Sequence, residues 1–376
     1  MTPVAAAHWS DTPLAWRDRL LGSARFRRWA EAFVPTRWIA RRRAAQVFDL
    51  VAGFVYSQVL LACVQLRLFD LLAQGPQTLA ALAPRLNLPL AAAERLVLAA
   101  VSLKLLEARA NNRFGLGPLG APLAGNAALA AMVEHHAALY RDLADPLALL
   151  RGEAGPRELA GYWPYAGTEV PSALPTQQVA TYSALMAASQ PLVAEQVLQA
   201  YPMQRHRRLM DVGGGDGAFA CAAARHAPAL QVQVFDLPGV VARAAQRFEQ
   251  AGLAGRCSAH GGDFFRDELP AGADLISLLR VVHDHDDERV LRLLRAVRRA
   301  LPDGGRLLLA EPLADTPGAE AMGHAYFGFY LLAMGRGQPR SEARLRELLA
   351  EAGFTHVRRL PTHLPLQASV LLVDAA

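Results

Sequence analysis

Eight residues, Met210-Asp211-Val212-Gly213-Gly214-Gly215-Asp216-Gly217, restrict the fold of this chain more than any other stretch. A short apolar run leads into them and a helix-forming stretch follows. Glycine adopts backbone angles closed to other residues and lets the main chain approach a ligand closely, so a strand, a glycine turn and a helix in series mark the first unit of an open, mostly parallel sheet. Further apolar runs at 232–236, 275–279 and 306–310 alternate with helical stretches. Runs at 357–360 and 369–373 read as a closing antiparallel hairpin. The expectation is an α/β domain with helices on both faces of the sheet.

The charge around the loop selects the ligand. Gly213-x-Gly215-x-x-Ala218 loosely satisfies the dinucleotide fingerprint, but a pyrophosphate there would lie beside Asp211 and Asp216. A cation carrying sulfonium and ammonium groups is attracted by both acids. Asp236, in Phe235-Asp236-Leu237-Pro238, ends the second strand and is placed to accept from ribose hydroxyls. Asp263, in Gly262-Asp263-Phe264-Phe265, is placed to accept from an adenine amino group. Each acid alone also reads as a polar strand end. In series with the glycine loop they point to S-adenosylmethionine.

The N-terminal part has another character. Helical spacing runs through Phe48, Val51, Val55, Val59, Ala62 and Leu66, Thr78 is placed to cap a short helix, and a second helix covers 91–105. A Gly-rich hairpin at 111–117 completes the pattern of a winged helix-turn-helix. Its second helix presents Glu94 and Arg95 among small apolar residues, too few groups to read bases or grip phosphates, so no nucleic-acid partner is expected. Residues 1–45 hold nine Arg against Asp11, Asp18 and Glu31, together with Trp9, Trp16, Trp29 and Trp38. Two readings stay open for this arm: peripheral contact with an anionic membrane, and an arm clasping a neighbouring subunit. The best apolar run, 50–64, is too short for a membrane span and contains Ser57 and Gln58. No apolar signal core opens the chain, and three widely spaced cysteines fit a reducing, cytoplasmic setting. Hydrophobic residues at 52% exclude disorder as the main state.

The glycine loop, Phe235-Asp236-Leu237-Pro238, Gly262-Asp263-Phe264-Phe265 and the later His283-Asp284 pair resemble, in that order, the small-molecule S-adenosylmethionine-dependent O-methyltransferases with an N-terminal winged-helix dimerisation domain. The arm, residues 48–64 and residues 326–341 are further similar to the bacterial carotenoid 1-hydroxy O-methyltransferases, which act on hydroxyneurosporene and demethylspheroidene in spheroidene biosynthesis. The resemblance implies an all-helical winged-helix dimerisation domain before a Rossmann-like domain with a mostly parallel seven-stranded sheet. It divides the chain into an arm (1–44), a dimerisation domain (45–125), linking and substrate-lining helices (126–200) and a methyltransferase domain (201–376). It also implies a homodimer, S-adenosylmethionine as methyl donor and no metal.

His283 follows the fourth strand, at the carboxyl end where open sheets place their ligands. His285 lies two residues on, but imidazoles so spaced about an Asp rarely converge on a metal. The resemblance makes His283 the proton acceptor and Glu311 the acid that orients it. Relatives carry a second acid before an Arg-Ser or Arg-Thr pair; here Pro339 precedes Arg340-Ser341, so a histidine flanked on one side is expected. The cofactor set expected from motif and resemblance is Asp211, Gly213, Gly215, Asp236, Leu237, Asp263, Phe264 and Arg280. Arg280 is offset by one from the family's cofactor-contacting cation. Met322, Tyr326, Phe327 and Tyr330, with Trp163 and Met186, are candidates to line a pocket for a long hydrophobic acceptor; core packing is the competing reading. Rival functions are methylation of a phenol or a tetrapyrrole, and a non-catalytic winged-helix regulator that senses the cofactor.

Overall fold

The computed structural model describes residues 11–162, 190–365 and 368–375, and the chain divides into two compact units, 1–125 and 126–376.

The first unit begins with helices Asp11–Gly22, Ala24–Ala32 and Val34–Gln65. Ser23 starts the second by accepting from the Phe26 N–H, and Pro35 occupies the first turn of the third, where no intrahelical donor is needed. The expected border at 44/45 falls inside this 32-residue helix. The expectation of no membrane-length segment is corrected here: the helix is long and apolar enough to cross a membrane by length and composition. The apolar run is extended on its N-terminal side by residues that continue the same helix, and the Ser57 hydroxyl donates back to the Gly53 carbonyl instead of breaking it.

Helices Leu79–Arg85 and Leu90–Ser102 follow, the first capped by Thr78, whose hydroxyl accepts from the Ala81 N–H. Strands β1 (Gln77–Thr78), β2 (Leu106–Arg109) and β3 (Arg113–Leu116) form a small antiparallel sheet in the order β1-β3-β2. Asn111 and Asn112 both take positive φ in the three-residue turn 110–112 between β2 and β3, a conformation that asparagine tolerates. Leu68, Phe69, Leu72, Leu82, Val97 and Leu106 are buried in this unit.

The second unit carries a seven-stranded sheet. Its strands are β4 (Arg208–Val212), β5 (Gln231–Asp236), β6 (Cys257–Gly261), β7 (Leu275–Leu279), β8 (Arg306–Glu311), β9 (Phe354–Leu360) and β10 (Ser369–Ala375). The order is β6-β5-β4-β7-β8-β10-β9; β4 to β8 are parallel, and β10 pairs antiparallel with both β8 and β9. All five residues of β7 are buried, as a central parallel strand covered on both faces requires. Two apolar cores sandwich the sheet, one around Phe219, Leu230 and Phe248, the other around Ile276, Leu293 and Leu349. Strand order reverses between β4 and β7, and the crevice at such a switch point is where this architecture receives ligands.

Candidate active site

The glycine loop leaves β4 at this switch point. Gly213, Gly215 and Gly217 have φ of 71°, 61° and 79°. They serve different ends. A Cβ on Gly213 would lie 2.7 Å from Val281 Cγ2, and one on Gly217 2.6 Å from the Phe248 ring, so both permit close packing inside the protein. A Cβ on Gly215 would meet nothing within 4 Å, so this glycine faces open space.

Two carboxyl groups stand beside the loop, Asp211 fully buried and Asp236 half-buried. Asp211 Oδ1 accepts from the Ser277 hydroxyl at 2.6 Å, while its Oδ2 is buried with no hydrogen-bond partner among the described residues. Burial raises its pKa to about 7, against the lowering effect of Ser277. Asp236 Oδ2 accepts from the Gly215 N–H at 2.8 Å and Oδ1 from the Leu237 N–H at 2.7 Å. Burial outweighs both bonds and raises Asp236 to about 6. Two carboxyls that resist ionisation, one with an unsatisfied oxygen, call for a cation. That donor set fits a sulfonium and ammonium ligand and opposes a pyrophosphate.

Asp263 lies two residues beyond β6. Its Oδ1 accepts from the Phe265 N–H at 2.9 Å, and Oδ2 lies 3.6 Å from Arg266 Nε. Phe264 stacks edge-on against Phe265 and His285, with ring centroids 4.6 and 5.8 Å away. Arg280 follows β7 in a left-handed conformation, φ 57°, with its N–H donating to the Ala310 carbonyl. Its charge acts on His283, Asp284 and Tyr326, opposing the rise in the pKa of each.

His283 is buried in the turn after β7. Its Nδ1 is 2.6 Å from Glu311 Oε2, at the end of the neighbouring strand β8. Glu311 Oε1 accepts from the Val281 and Val282 N–H groups at 2.9 and 2.7 Å, so one carboxylate fixes both the ring and its turn. Since the carboxylate accepts at Nδ1, that nitrogen carries the hydrogen, and Nε2 keeps a lone pair in the neutral ring. Nε2 lies 3.1 Å from Asp284 Oδ1, within ion-pair range but off the line of a hydrogen bond, because Oδ1 makes none. Burial works against protonation of His283, yet the charges of Asp284 and Glu311 overcome it and raise its pKa. Pro339 brings no carboxylate; the second acid is Asp284, the next residue in the chain. Asp284 itself is raised to about 6 by burial. His285 has no comparable setting: burial lowers it to about 3, and its ring packs edge-on against Phe265 at 4.9 Å.

A segment rich in aromatic residues borders His283. Ala321–Phe327 forms a π-helical turn that runs directly into the α-helix Gly328–Met334. The Phe327 ring lies 6.1 Å from the His283 ring, Tyr326 packs on Phe327 and Tyr330, and Met322 is half-buried on the same turn. Two histidines that the sequence reading passed over face these tyrosines from helix Ala127–Asp142: His135 Nε2 is 2.7 Å from the Tyr330 hydroxyl and His136 Nε2 is 2.7 Å from that of Tyr326. The Met132 carbonyl can only accept, so His136 Nδ1 carries a hydrogen and in the neutral ring Nε2 takes the Tyr326 O–H. Burial pushes Tyr326 up to about 12 and His135 down to about 4, leaving both uncharged. The His135-His136 doublet in an Ala- and Leu-rich helix was the available signal, as was Ser277 alone in an apolar strand. Trp163 and Met186 lie outside the described residues.

The structure thus brings the loop and His283 into one contact chain: Asp236 holds Gly215, Gly213 packs on Val281, and Glu311 holds both Val281 and His283.

The O-methyltransferase domain family matches residues 140–355, and the O-methyltransferase dimerisation domain family matches residues 48–125. The demethylspheroidene O-methyltransferase of Cereibacter sphaeroides is 47% identical, over 94% of this chain and 93% of that protein. Its namesake from Rhodobacter capsulatus is 42% identical over 89% of this chain and 82% of that protein. Among solved structures, a mitomycin 7-O-methyltransferase superposes with a TM-score of 0.72 at 26% identity, covering 90% of this chain and all of that one. Human N-acetylserotonin methyltransferase in complex with SAM gives 0.70 at 26% identity, covering 88% of this chain and 97% of that one. The chain belongs to the S-adenosylmethionine-dependent O-methyltransferases that carry an N-terminal dimerisation domain.

Proposed function

We propose that this enzyme methylates the tertiary 1-hydroxyl of an acyclic carotenoid, with His283 as proton acceptor. The observation that carries the acceptor class is the apolar wall of Phe327, Tyr326 and Tyr330 against the base, in a chain whose relatives include two demethylspheroidene O-methyltransferases.

Asp211, Gly213, Gly215, Asp236, Leu237, Asp263, Phe264 and Arg280 form the cofactor pocket in this reading. Bound S-adenosylmethionine supplies a methyl carbon already activated by a positively charged sulfur. Even with its pKa raised, a histidine is far too weak a base to ionise an aliphatic alcohol beforehand. His283 Nε2 instead collects the proton as the hydroxyl oxygen forms its bond to carbon, and the resulting imidazolium is stabilised by Glu311 on one side and Asp284 on the other. Alignment of the acceptor by the aromatic wall then carries much of the acceleration. Labelled-methyl transfer in detergent, with hydroxyneurosporene beside a simple phenol, tests the reading: label on the phenol alone would refute the carotenoid assignment.

The working form in this reading is a homodimer at an anionic membrane surface, where such an acceptor dissolves. Phe48, Leu50, Val51 and Phe54 are exposed on the long helix within the dimerisation domain and suit a second copy. Ahead of that domain, Phe26, Trp29 and Phe33 stack along one side of helix Ala24–Ala32, and Trp16, Trp29 and Trp38 are exposed among the arginines. Flotation with phosphatidylglycerol-containing liposomes, with and without residues 1–45, tests this part. Binding that survives the deletion overturns it, as does binding indifferent to lipid charge.

A further inference from the structure

We propose that Arg340, with the strap 337–340, is a positioning residue that sets the proton acceptor by holding the carbonyl groups of its turn. The inference rests on the reading of His283 as the base and adds an element which that reading lacks. Glu311 secures the turn only through its N–H groups, at Val281 and Val282. On the carbonyl side, Val282 accepts a long bond from the His285 N–H at 3.3 Å, and the strap adds further donors. The Gln338 N–H donates to the His283 carbonyl at 3.0 Å. Arg340 Nη1 donates to the Val282 carbonyl at 2.9 Å and Nη2 to the His285 carbonyl at 2.7 Å. Three carbonyls of the 282–285 turn are therefore held by two residues of a single strap, Gln338 and Arg340.

The strap is built for that contact. Arg340 is 4% exposed, and its Nε donates to Asp287 Oδ1 at 2.7 Å, so the buried guanidinium has a counterion. Arg344 holds the other oxygen of Asp287 at 2.8 Å. Gly337 has φ 90°, and a Cβ there would lie 2.4 Å from the His283 carbonyl oxygen, so the strap backbone rests directly on the base residue. Pro339 has a ring that fixes its own φ and stiffens the segment between the two donors. The Arg340 carbonyl accepts from the Ala314 N–H at 2.8 Å, tying the strap to the segment that leaves β8 after Glu311. Base turn, orienting acid and strap are one frame, and a planar fork of donors at its centre is not replaceable by an ammonium group.

The test uses the full chain with Arg340→Lys and Arg340→Ala, assayed by labelled-methyl transfer across pH, with cofactor affinity measured by calorimetry. Among the described residues, the charged and titratable groups that face His283 are Glu311 from β8 and Asp284, His285 and Arg280 from its own segment; the π-helical turn presents Phe327 and the uncharged Tyr326. A loosened turn lets the ring drift from its two acids. The expected result is a loss in kcat of about 10²-fold, with the cofactor Kd unchanged within about twofold, and an acidic limb of the kcat profile moved to lower pH. Methylguanidine is expected to restore part of the activity of Arg340→Ala. A loss that tracks the unfolded fraction, or an unmoved acidic limb in the folded Lys variant, overturns the proposal. A His283→Ala variant separates the two readings. If it turns over normally, the base assignment falls; if it is inactive while the Arg340 variants keep the parental profile, only the positioning role falls.

Discussion

His283 Nδ1 and Glu311 Oε2 lie 2.6 Å apart, linking the turn after one strand to the end of the next. The same carboxylate accepts two backbone N–H groups of that turn, so ring orientation, tautomer and loop conformation depend on a single side chain. His283→Ala is expected to lower kcat by about 10²–10⁴-fold with little change in cofactor affinity. Glu311→Gln is expected to approach that loss, because its amide group would face two backbone donors. Labelled-methyl transfer and calorimetry together measure both quantities.

The acid pair around His283 has a consequence for pH dependence. Its pKa is raised, with burial opposing and the charges of Asp284 and Glu311 prevailing; Arg280 works against them. The proposed base functions only when Nε2 is unprotonated, so kcat is expected to rise with pH through a midpoint above that of free imidazole. Asp284→Asn is expected to move the midpoint down. A pH–kcat profile of the two proteins checks this, and coincident profiles would refute it.

Asp211 and Asp236 predict a contrast between the free and the cofactor-bound protein. Their folded-state values, about 7 and about 6, exceed those of an unfolded carboxyl. A raised folded pKa contributes stability that is fully present below the unfolded value and lost as pH rises through the folded value. The free protein should therefore lose stability from about pH 4 to 7, by up to about 1.4 kcal/mol per pH unit for each group. Cofactor affinity should climb over the upper part of the same range, as both carboxyls ionise to meet the cation. Thermal unfolding with and without S-adenosylmethionine measures both trends. Asp211→Asn should flatten the first and weaken the second.

Two glycines of one loop should fail differently. Gly213→Ala sets a methyl group 2.7 Å from Val281 at φ 71° and is expected to destabilise the fold by roughly 2–5 kcal/mol. Gly215→Ala has open space around it and only its φ of 61° to strain, about 1–2 kcal/mol. Its methyl group, however, projects into the proposed cofactor crevice. Denaturant unfolding should single out the first variant and calorimetric titration the second.

The parts that were legible in the sequence are those whose physics is local. A glycine turn between a strand and a helix, acids at successive strand ends and a histidine at the carboxyl end of a strand announce themselves within a few residues. So do a Thr78 cap and an aromatic run at 326–330. The order of these signals determined the α/β domain and the class of cofactor, and the mismatch between acidic neighbours and a pyrophosphate determined the sign of the ligand's charge. The Arg- and Trp-rich arm was visible as composition, but the continuity of helix Val34–Gln65 through its end was not, because no cap or proline marks a boundary there.

Tertiary structure decided what lies across the sheet. Pro339 predicted a histidine flanked by one acid, whereas Asp284 turns back towards Nε2 once the 282–284 turn is formed. Arg340 is an ordinary charged residue in the sequence; its burial and its grip on the Val282 and His285 carbonyls arise only when a segment more than fifty residues downstream is laid against that turn. The pairing of His135 and His136 with Tyr330 and Tyr326 joins residues nearly two hundred positions apart. Hydrogen-bond partners so distant leave no periodicity and no spacing to read, since only the packing of elements brings them within three ångströms.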